Sequence, residues 1–223
     1  PRSLDNSAIR LASVKFDGVF PKAWIREKNS FALLKDGNIR AVENEILSSK
    51  ICRCFDCRQV LYEESMFDGQ KVSKSRIITS VDYSMVSMEA FEIYATNHDI
   101  HVMDFVLKLD AYSYYMMNLL DYLIGNTDRH WGNWGFLVDN RTNQPVRLFD
   151  LMDLNQTFLA YDTPDGANCM TTGNRKMSQR EAAVEAVKNI GLNQKDEIKD
   201  EWFKGREKER EMFWCRFGIL KEQ

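Results

Sequence analysis

The sequence has few of the features that mark fibrous, disordered or strongly charged chains. Only 4 of its 223 residues are proline and 11 are glycine, while 44% are hydrophobic, a composition typical of a compact globular protein. Its 30 lysines and arginines nearly balance 33 acidic residues, and the net charge of −3 supplies no overall basic field for nucleic acid. We therefore expect no direct nucleic-acid binding, and any bound anion must be held by a local cluster.

Long apolar runs are also missing. The longest apolar stretch, residues 116–124, contains Asn118 and Asp121 and is far shorter than the ~20 residues that span a bilayer. The sequence opens without a basic segment followed by an apolar one, which argues against a secretory signal unless one has been removed. We expect no membrane span.

The cysteines do not form pairs along the sequence. Cys52, Cys54 and Cys57 lie close together, whereas Cys169 and Cys215 are isolated, and the total of five is odd. A closed structural zinc site takes four ligands, and an unpaired set is typical of a reducing compartment. The pattern favours plain thiols, although it leaves the role of the three clustered cysteines open.

The order of predicted elements indicates a sheet-rich first half and a helical second half. Alternating and turn patterns predict a hairpin, one helix and three further strands in the first half. The second half predicts an apolar helix that stops at Gly125, two short strands and two more helices. The predicted spans are 23–25, 31–34, 41–54, 60–62, 76–80 and 83–91 in the first half, and 111–125, 134–138, 146–149, 178–190 and 196–218 in the second.

This organisation predicts an α+β fold with two lobes that together form one domain. The first lobe, residues 1–93, would be a sheet with one helix that covers a nucleotide. The second lobe, residues 94–223, would be mainly helical and carry the polar loop that follows Gly125. The fold class is that of a two-lobed protein kinase if the polar loop is catalytic.

That loop carries the residue types that phosphoryl transfer requires. Asp128 and Asn133 are five positions apart, and protein kinases use an Asp and an Asn with this offset to orient the acceptor hydroxyl and bind Mg²⁺. A second metal-binding carboxylate normally follows after a short hairpin, where Asp150 and Asp153 both lie. The spacing alone leaves the choice between them open.

The upstream half supplies the remaining kinase parts in the right order. Lys35 ends a predicted strand and Glu45 lies on the following helix, as expected of the lysine that touches phosphates and the glutamate that holds it. Gly18 and Lys22 could form a turn that covers the phosphates. Each residue alone has an ordinary structural explanation, and it is their order that predicts a kinase. The sequence has neither a Gly-x-Gly-x-x-Gly loop nor a Walker A motif.

Three segments resemble the HipA-type bacterial serine/threonine kinases. They are LIGNTDRHWGN at 123–133, ENE at 43–45 and GVFPK at 18–22, and the resemblance covers about residues 18–163. It implies a protein-kinase-like fold that uses ATP and Mg²⁺. By this resemblance Lys35 contacts the ATP phosphates and pairs with Glu45, Asp128 orients the acceptor hydroxyl, Asn133 binds Mg²⁺ and His130 lies near the phosphates.

The resemblance also assigns an adenine-binding hinge and a metal ligand. Residues 88–91 correspond to the hinge, so Glu89 and Phe91 would hold adenine through main-chain groups. The phrase RLFDLMD at 147–153 matches a family motif that ends on the metal aspartate, which favours Asp153 over Asp150.

The expected function is ATP- and Mg²⁺-dependent phosphorylation of Ser or Thr in a protein substrate that the sequence does not identify. A phosphoinositide or small-molecule kinase is the first alternative, and a non-catalytic nucleotide-binding pseudokinase or regulator is the second. The resemblance further implies an antitoxin-like partner and a cytoplasmic location, with a secreted effector as the other family precedent.

Overall fold

The computed structural model of the protein describes residues 21–27, 30–173 and 175–223. No helix in these ranges has the length and apolar character needed to cross a membrane. In chain order the elements are β1 (Lys22–Glu27), β2 (Ser30–Lys35), α1 (Ile39–Cys52), β3 (Tyr62–Phe67), β4 (Gln70–Arg76), β5 (Tyr83–Ser87), α2 (Met88–Asn97), α3 (Val102–Ile124), β6 (Gly135–Asp139), β7 (Gln144–Leu148), α4 (Gln179–Ile190), a 3-10 turn (Asp200–Phe203) and α5 (Glu207–Lys221).

The first sheet is antiparallel, and its described strands run in the order β1-β2-β4-β3. The predicted hairpin is confirmed, with Lys22 opposite Lys35. Helix α1 packs on β3 and β4 and begins where the Asn38 side chain accepts the backbone N–H of Ala41 at 2.8 Å, an N-cap that satisfies one of the unpaired donors of the first turn.

The second sheet has the described order β5-β6-β7, again antiparallel. The predicted strand 83–91 is too long, because the Ser87 side chain accepts the N–H of Ala90 at 3.2 Å and starts α2 at Met88. Since β5 pairs with β6 rather than with β4, the chain crosses between the two sheets over residues 77–82.

Helix α3 forms the centre of the second half and delivers the polar loop. It begins at Val102, earlier than predicted, and bends at Asp110, whose carboxylate accepts the N–H of Ser113 at 3.2 Å and restarts the helix. It ends as predicted at Gly125, which has the left-handed φ of 59° that favours glycine. The ring of Tyr161 lies directly against this glycine, so the loop leaves the core in one fixed direction.

The sequence predicts two helices in the C-terminal part of the chain; the first has its predicted cap, and the second is divided into two elements. The capping box of Ser178 and Glu181 opens α4, which ends before Gly191. The predicted single helix over 196–218 is divided, because Gly205, with φ of 73°, separates the 3-10 turn from α5. Buried side chains of α3 pack with these elements into one core; among them are Leu119, Leu120, Leu123 and Ile124 on α3, with Phe203, Phe213 and Phe217 from the C-terminal region.

The cysteines are free thiols, as the unpaired pattern predicts. Cys52 and Cys54 are buried, and Cys57 is half-buried. Burial raises the pKa of Cys57 to about 12 and disfavours the thiolate that metals bind. Within the described ranges, no group of three or more His, Cys, Asp or Glu side chains could hold a metal ion.

Candidate active site

A cleft of about 690 Å³ lies between the first sheet and the loop that follows α3. Its walls include β1 and β2, the connection between the two sheets, and the loops around residues 128–133 and 149–156. Among the lining residues are Lys22, Trp24, Lys35, Tyr62, Arg76, Ile77, Ile78, Thr79, Glu89, Asp128, His130, Asn133 and Asp153. The structure therefore brings most of the sequence-predicted residues to one cavity.

The inner end of this cleft holds a buried ion-pair group. Lys35, the last residue of β2, places its Nζ 2.7 Å from Oε1 of Glu45 on α1 and 2.9 Å from Oδ1 of Asp153. Glu45 is 1% exposed and also accepts a hydrogen bond from the Ser73 hydroxyl on β4. One lysine thus joins a strand, a helix and a loop that are far apart in sequence.

These contacts fix the charges of the group. Burial alone lowers the pKa of Lys35, but electrostatic interactions with Tyr62, Glu45 and Asp153 outweigh burial and raise its pKa above the ordinary value. Burial raises the pKa of Asp153, but its charge interaction and hydrogen bond with Lys35, and then the charge of Lys22, lower it overall. At neutral pH the ammonium and the Asp153 carboxylate are both charged.

Asp153 is held in an unusual backbone conformation. Its φ is 56°, in the left-handed region that costs free energy for residues other than glycine. Its backbone N–H donates to the hydroxyl of Tyr62 at 3.1 Å, and the centroid of the Tyr62 ring lies 4.9 Å from Lys35 Nζ. Tyr62, which the sequence did not single out, therefore holds both Asp153 and Lys35.

The loop after α3 presents Asp128 and Asn133 to the same cleft. The Nδ2 of Asn133 donates to the backbone oxygen of Asp128 at 2.8 Å and to its Oδ2 at 3.3 Å. This leaves the Asn133 amide oxygen without a partner among the described residues. Oδ1 of Asp153 takes the Lys35 contact, and its Oδ2 has no hydrogen bond from a side chain or N–H in the part of the chain that the structure describes. Amide and carboxylate oxygens are ligands that Mg²⁺ accepts, so these residues fit the metal.

Arg129 is the buried centre of this loop and is a residue that sequence reasoning missed. It is 3% exposed, and its Nε and Nη2 donate to the two carboxylate oxygens of Asp121 on α3 at 2.8 and 2.9 Å. Its Nη1 donates to the backbone oxygens of Asn133 at 2.8 Å and Met152 at 2.5 Å. One planar guanidinium thus positions Asn133 and the residue before Asp153 together.

His130 lies at the open side of the cleft. Its Nδ1 accepts the backbone N–H of Gly132 at 3.0 Å, so the neutral ring carries its proton on Nε2. That nitrogen is 3.8 Å from Oδ1 of Asp128, too far for a direct hydrogen bond. A Cβ at Gly132 would lie 2.8 Å from the imidazole carbon Cε1, so glycine leaves room for this ring.

The structure places residues 88–91, the predicted hinge, at the start of helix α2. The backbone N–H of Glu89 donates to Trp131 at 3.0 Å, and although the Glu89 residue lines the cleft, that N–H is not free to bind a base. Phe91 is 5% exposed, and its ring packs on Phe105 and Phe136 at centroid distances of 4.9 and 4.7 Å. The helix that begins at Met88 explains both differences.

Residues 76–79, on the connection between the two sheets, all line the cleft. Ile77 donates its N–H to Phe31 at 3.2 Å, whereas Ile78 and Thr79 make no backbone hydrogen bond to another described residue.

The two aspartates of the 147–153 phrase lie in different surroundings. Asp153 faces the cleft, whereas Asp150 pairs with Arg147 Nη1 at 2.5 Å and lines a separate cavity behind the loop. Lys22 lines the cleft as well. Gly18, the other residue of the predicted phosphate-covering turn, lies outside the described residues.

The combination of a sheet that carries a Lys–Glu ion pair and a loop that carries Asp and Asn defines a kinase-like architecture. CtkA, a proinflammatory kinase of Helicobacter pylori, has the same fold: its crystal structure matches this chain with a TM-score of 0.73 at 12% sequence identity, over 97% of this chain and 94% of that chain. The predicted fold class is confirmed.

A second solved structure is more distant. HipA of Shewanella oneidensis MR-1, in a toxin–antitoxin complex with HipB and operator DNA, matches 94% of this chain and 59% of its own, at 11% identity and a TM-score of 0.49. That likeness is too loose to support an argument. No protein-family model matches the sequence, and no curated protein matches it.

Proposed function

We propose that this protein is an ATP- and Mg²⁺-dependent phosphotransferase that phosphorylates Ser or Thr of a protein substrate. The observation that carries the proposal is the buried Lys35–Glu45–Asp153 group, which faces Asp128 and Asn133 across one cleft. Kinases require the same set of groups in the same order along the chain.

The cleft offers separate places for the base and the phosphates of a nucleotide. The main-chain groups of Ile78 and Thr79, which make no backbone hydrogen bond to another described residue, suit the edge of adenine. Lys35 and Lys22, at the other wall, suit the phosphate oxygens. We also propose that residues 77–82 divide the chain into two lobes, instead of the boundary after residue 93, because β5 belongs to the second sheet.

Asn133 and Asp153 would hold Mg²⁺ through the amide oxygen and Oδ2, which accept no hydrogen bond from a described residue. When bound, ATP would supply the transferable phosphoryl group and Mg²⁺ would neutralise its negative charge. Lys35 holds Asp153 in its ionised form, and Arg129 holds both metal-binding segments at a fixed separation.

Asp128 would accept the hydrogen bond of the acceptor hydroxyl and orient it. Its side chain is 42% exposed at the open side of the cleft, and Asn133 holds its carboxylate from one side. The contribution of these residues is positioning and fixed charge rather than covalent chemistry.

The test is transfer of radiolabelled γ-phosphate from ATP with Mg²⁺, by wild-type protein and by Asp128→Asn. We expect the variant to lose transfer by about 10²-fold or more, as expected on removal of a positioned catalytic carboxylate, and to keep the nucleotide affinity measured by titration calorimetry. Asp139→Asn is the matched control, since Asp139 caps the turn after β6 far from the cleft lining. Equal labelling by Asp128→Asn and wild type would overturn the assignment.

The acceptor class requires a separate measurement. Phosphoamino-acid analysis of labelled protein should give phosphoserine or phosphothreonine. Labelling of phosphoinositide vesicles or of a small hydroxyl compound, without protein labelling, would favour the first alternative instead. Nucleotide binding without any transfer would favour a pseudokinase. An antitoxin-like partner rests on the sequence resemblance alone, and co-purification from native cells would test it.

A further inference from the structure

A layer of buried polar side chains joins α1 to later parts of the chain. We call it the α1 clamp; it consists of Asn44 and Ser48 on α1, Thr157 in the loop after Asp153, and Arg206 just before α5. Asn44 and Thr157 are 0% exposed, and Arg206 is 8% exposed. Polar groups this deeply buried destabilise a fold unless they are paired.

Both the nitrogen and the oxygen of the Asn44 amide make a hydrogen bond. Its Nδ2 donates to the backbone oxygen of Thr157 at 2.6 Å, and its Oδ1 accepts from Arg206 Nη1 at 2.7 Å. The Ser48 hydroxyl, one turn further along α1, lies 2.7 Å from the Thr157 hydroxyl. Nη2 of Arg206 reaches Glu43 at 3.2 Å. The layer therefore connects three segments that meet only in the folded chain.

The local structure explains how Arg206 reaches α1. Gly205 has a φ of 73°, which turns the chain sharply after the 3-10 turn. Phe203 is 1% exposed and anchors that turn in the core, and the N–H of Arg206 donates to its backbone oxygen at 2.8 Å. The guanidinium starts from a fixed backbone, so it constrains α1 rather than following it.

The clamp acts on the residue next to Glu45. Consecutive residues of a helix project about 100° apart, so Asn44 faces Thr157 and Arg206 while Glu45 faces Lys35. A rotation or outward shift of α1 that separates Glu45 from Lys35 must also break the Asn44 contacts. Kinases depend on the Lys–Glu pair being in place.

We propose that Arg206 is a positioning residue: through Asn44 it holds α1 where Glu45 reaches Lys35. Its effect on phosphoryl transfer rests on the function proposed above, whereas its effect on α1 does not. Because Arg206 lies about fifty residues beyond Asp153 in sequence, the proposal extends the catalytic machinery into the C-terminal part of the chain.

The first measurement is amide hydrogen exchange of α1 without nucleotide, which does not require activity. Arg206→Gln should speed exchange over α1 by roughly tenfold, the effect expected from losing one buried charged hydrogen bond. Arg206→Lys, which can keep one contact to Asn44, should lie between wild type and the glutamine variant and serves if the latter folds poorly. Arg210→Gln is the matched control, since the Arg210 side chain is 42% exposed and its Nη1 lies 3.6 Å from Oδ2 of Asp200, outside the clamp.

The second measurement is a double-mutant cycle on phosphoryl transfer. Arg206→Gln should lower kcat/KM roughly tenfold in the wild-type background but less than about twofold when Glu45 is already Gln, because residues that act through one another are not additive. A merely structural role would reduce both backgrounds equally.

Unchanged α1 exchange in folded Arg206→Gln, or additive losses in the cycle, would overturn the proposal. If the wild-type protein transfers no phosphate, the proposed function fails, and the exchange experiment still decides the role of Arg206.

Discussion

Replacement of Lys35 by Met tests the electrostatics of the cleft through stability alone. The substitution keeps most of the apolar volume of the side chain but removes the cation that faces Glu45 and Asp153 at 2.7 and 2.9 Å. Loss of one partner from a buried ion pair leaves uncompensated charge and costs about 3 to 5 kcal/mol. For a chain of this length we expect the Tm at pH 7.5 to fall by roughly 6 to 20 °C.

The pH dependence of this loss of stability is the stronger test. In the wild-type protein the folded pKa of Asp153 is depressed, so its stabilising contribution is present above its unfolded value, about 4, and is lost as pH falls through the folded pKa. The folded pKa of Lys35 is raised, so its contribution is complete below its unfolded value, about 10. Both contributions are therefore in place between pH 5 and 8.

In Lys35→Met the Asp153 carboxylate loses its cation, so burial, which raises the pKa of this group, is no longer offset by Lys35. The penalty is then largest at neutral pH and becomes smaller as the pH falls and Asp153 binds a proton. Circular dichroism melts of wild type and variant at pH 5.0, 6.5 and 8.0 measure the difference.

The control for this experiment is Lys71→Met. Lys71 pairs with Glu64 at 3.1 Å on the exposed face of the same sheet, and such a pair contributes about 1 kcal/mol or less. A Lys35→Met penalty as small as that of the control, or one that does not shrink at pH 5, would refute the electrostatic account of the cleft.

Three further predictions concern single positions. Asp153→Ala should weaken the Mg²⁺ dependence of nucleotide binding, measured by calorimetry, more than Asp150→Ala does, and the reverse order would make Asp150 the ligand. Arg129→Lys should reduce kcat by about tenfold or more, because an ammonium cannot replace the planar guanidinium that contacts Asp121 and two backbone oxygens. An unchanged kcat would contradict the positioning role of Arg129. Gly125→Ala should lower the free energy of unfolding, measured by chemical denaturation, by about 3 kcal/mol or more, because its Cβ would lie 2.3 Å from the Tyr161 ring. Gly205→Ala, also at positive φ but in open space, should lower it by only about 1 kcal/mol.

Elements with strong local signals could be predicted from the sequence. The first hairpin, the stop of α3 at Gly125 and the capping box of α4 each depend on a turn or cap residue, and the structure has all three. The strand predicted over 83–91 shows the limit, because Ser87 can continue a strand or cap a helix, and only pairing with β6 decides between them.

The residues of the candidate site are likewise predictable only in part. Lys35, Glu45, Asp128 and Asn133 stand out because of their order along the chain. The hinge at 88–91 is predicted from a short resemblance, and these residues begin a helix. Tyr62 and Arg206 act through contacts that only the folded chain creates. Arg129 had an indirect signal: its partner Asp121 is an acidic residue within an apolar helical run, and such a residue needs a buried cation.

The thiols of this protein have a practical consequence for labelling. Thiol reagents attack the thiolate, and burial raises the pKa values of Cys52, Cys54, Cys57 and Cys169. Cys215 is exposed on α5, the helix that begins directly after Arg206. A maleimide dye at neutral pH should therefore attach mainly to Cys215, and its fluorescence would report on this end of the molecule in the natural sequence, without an engineered cysteine.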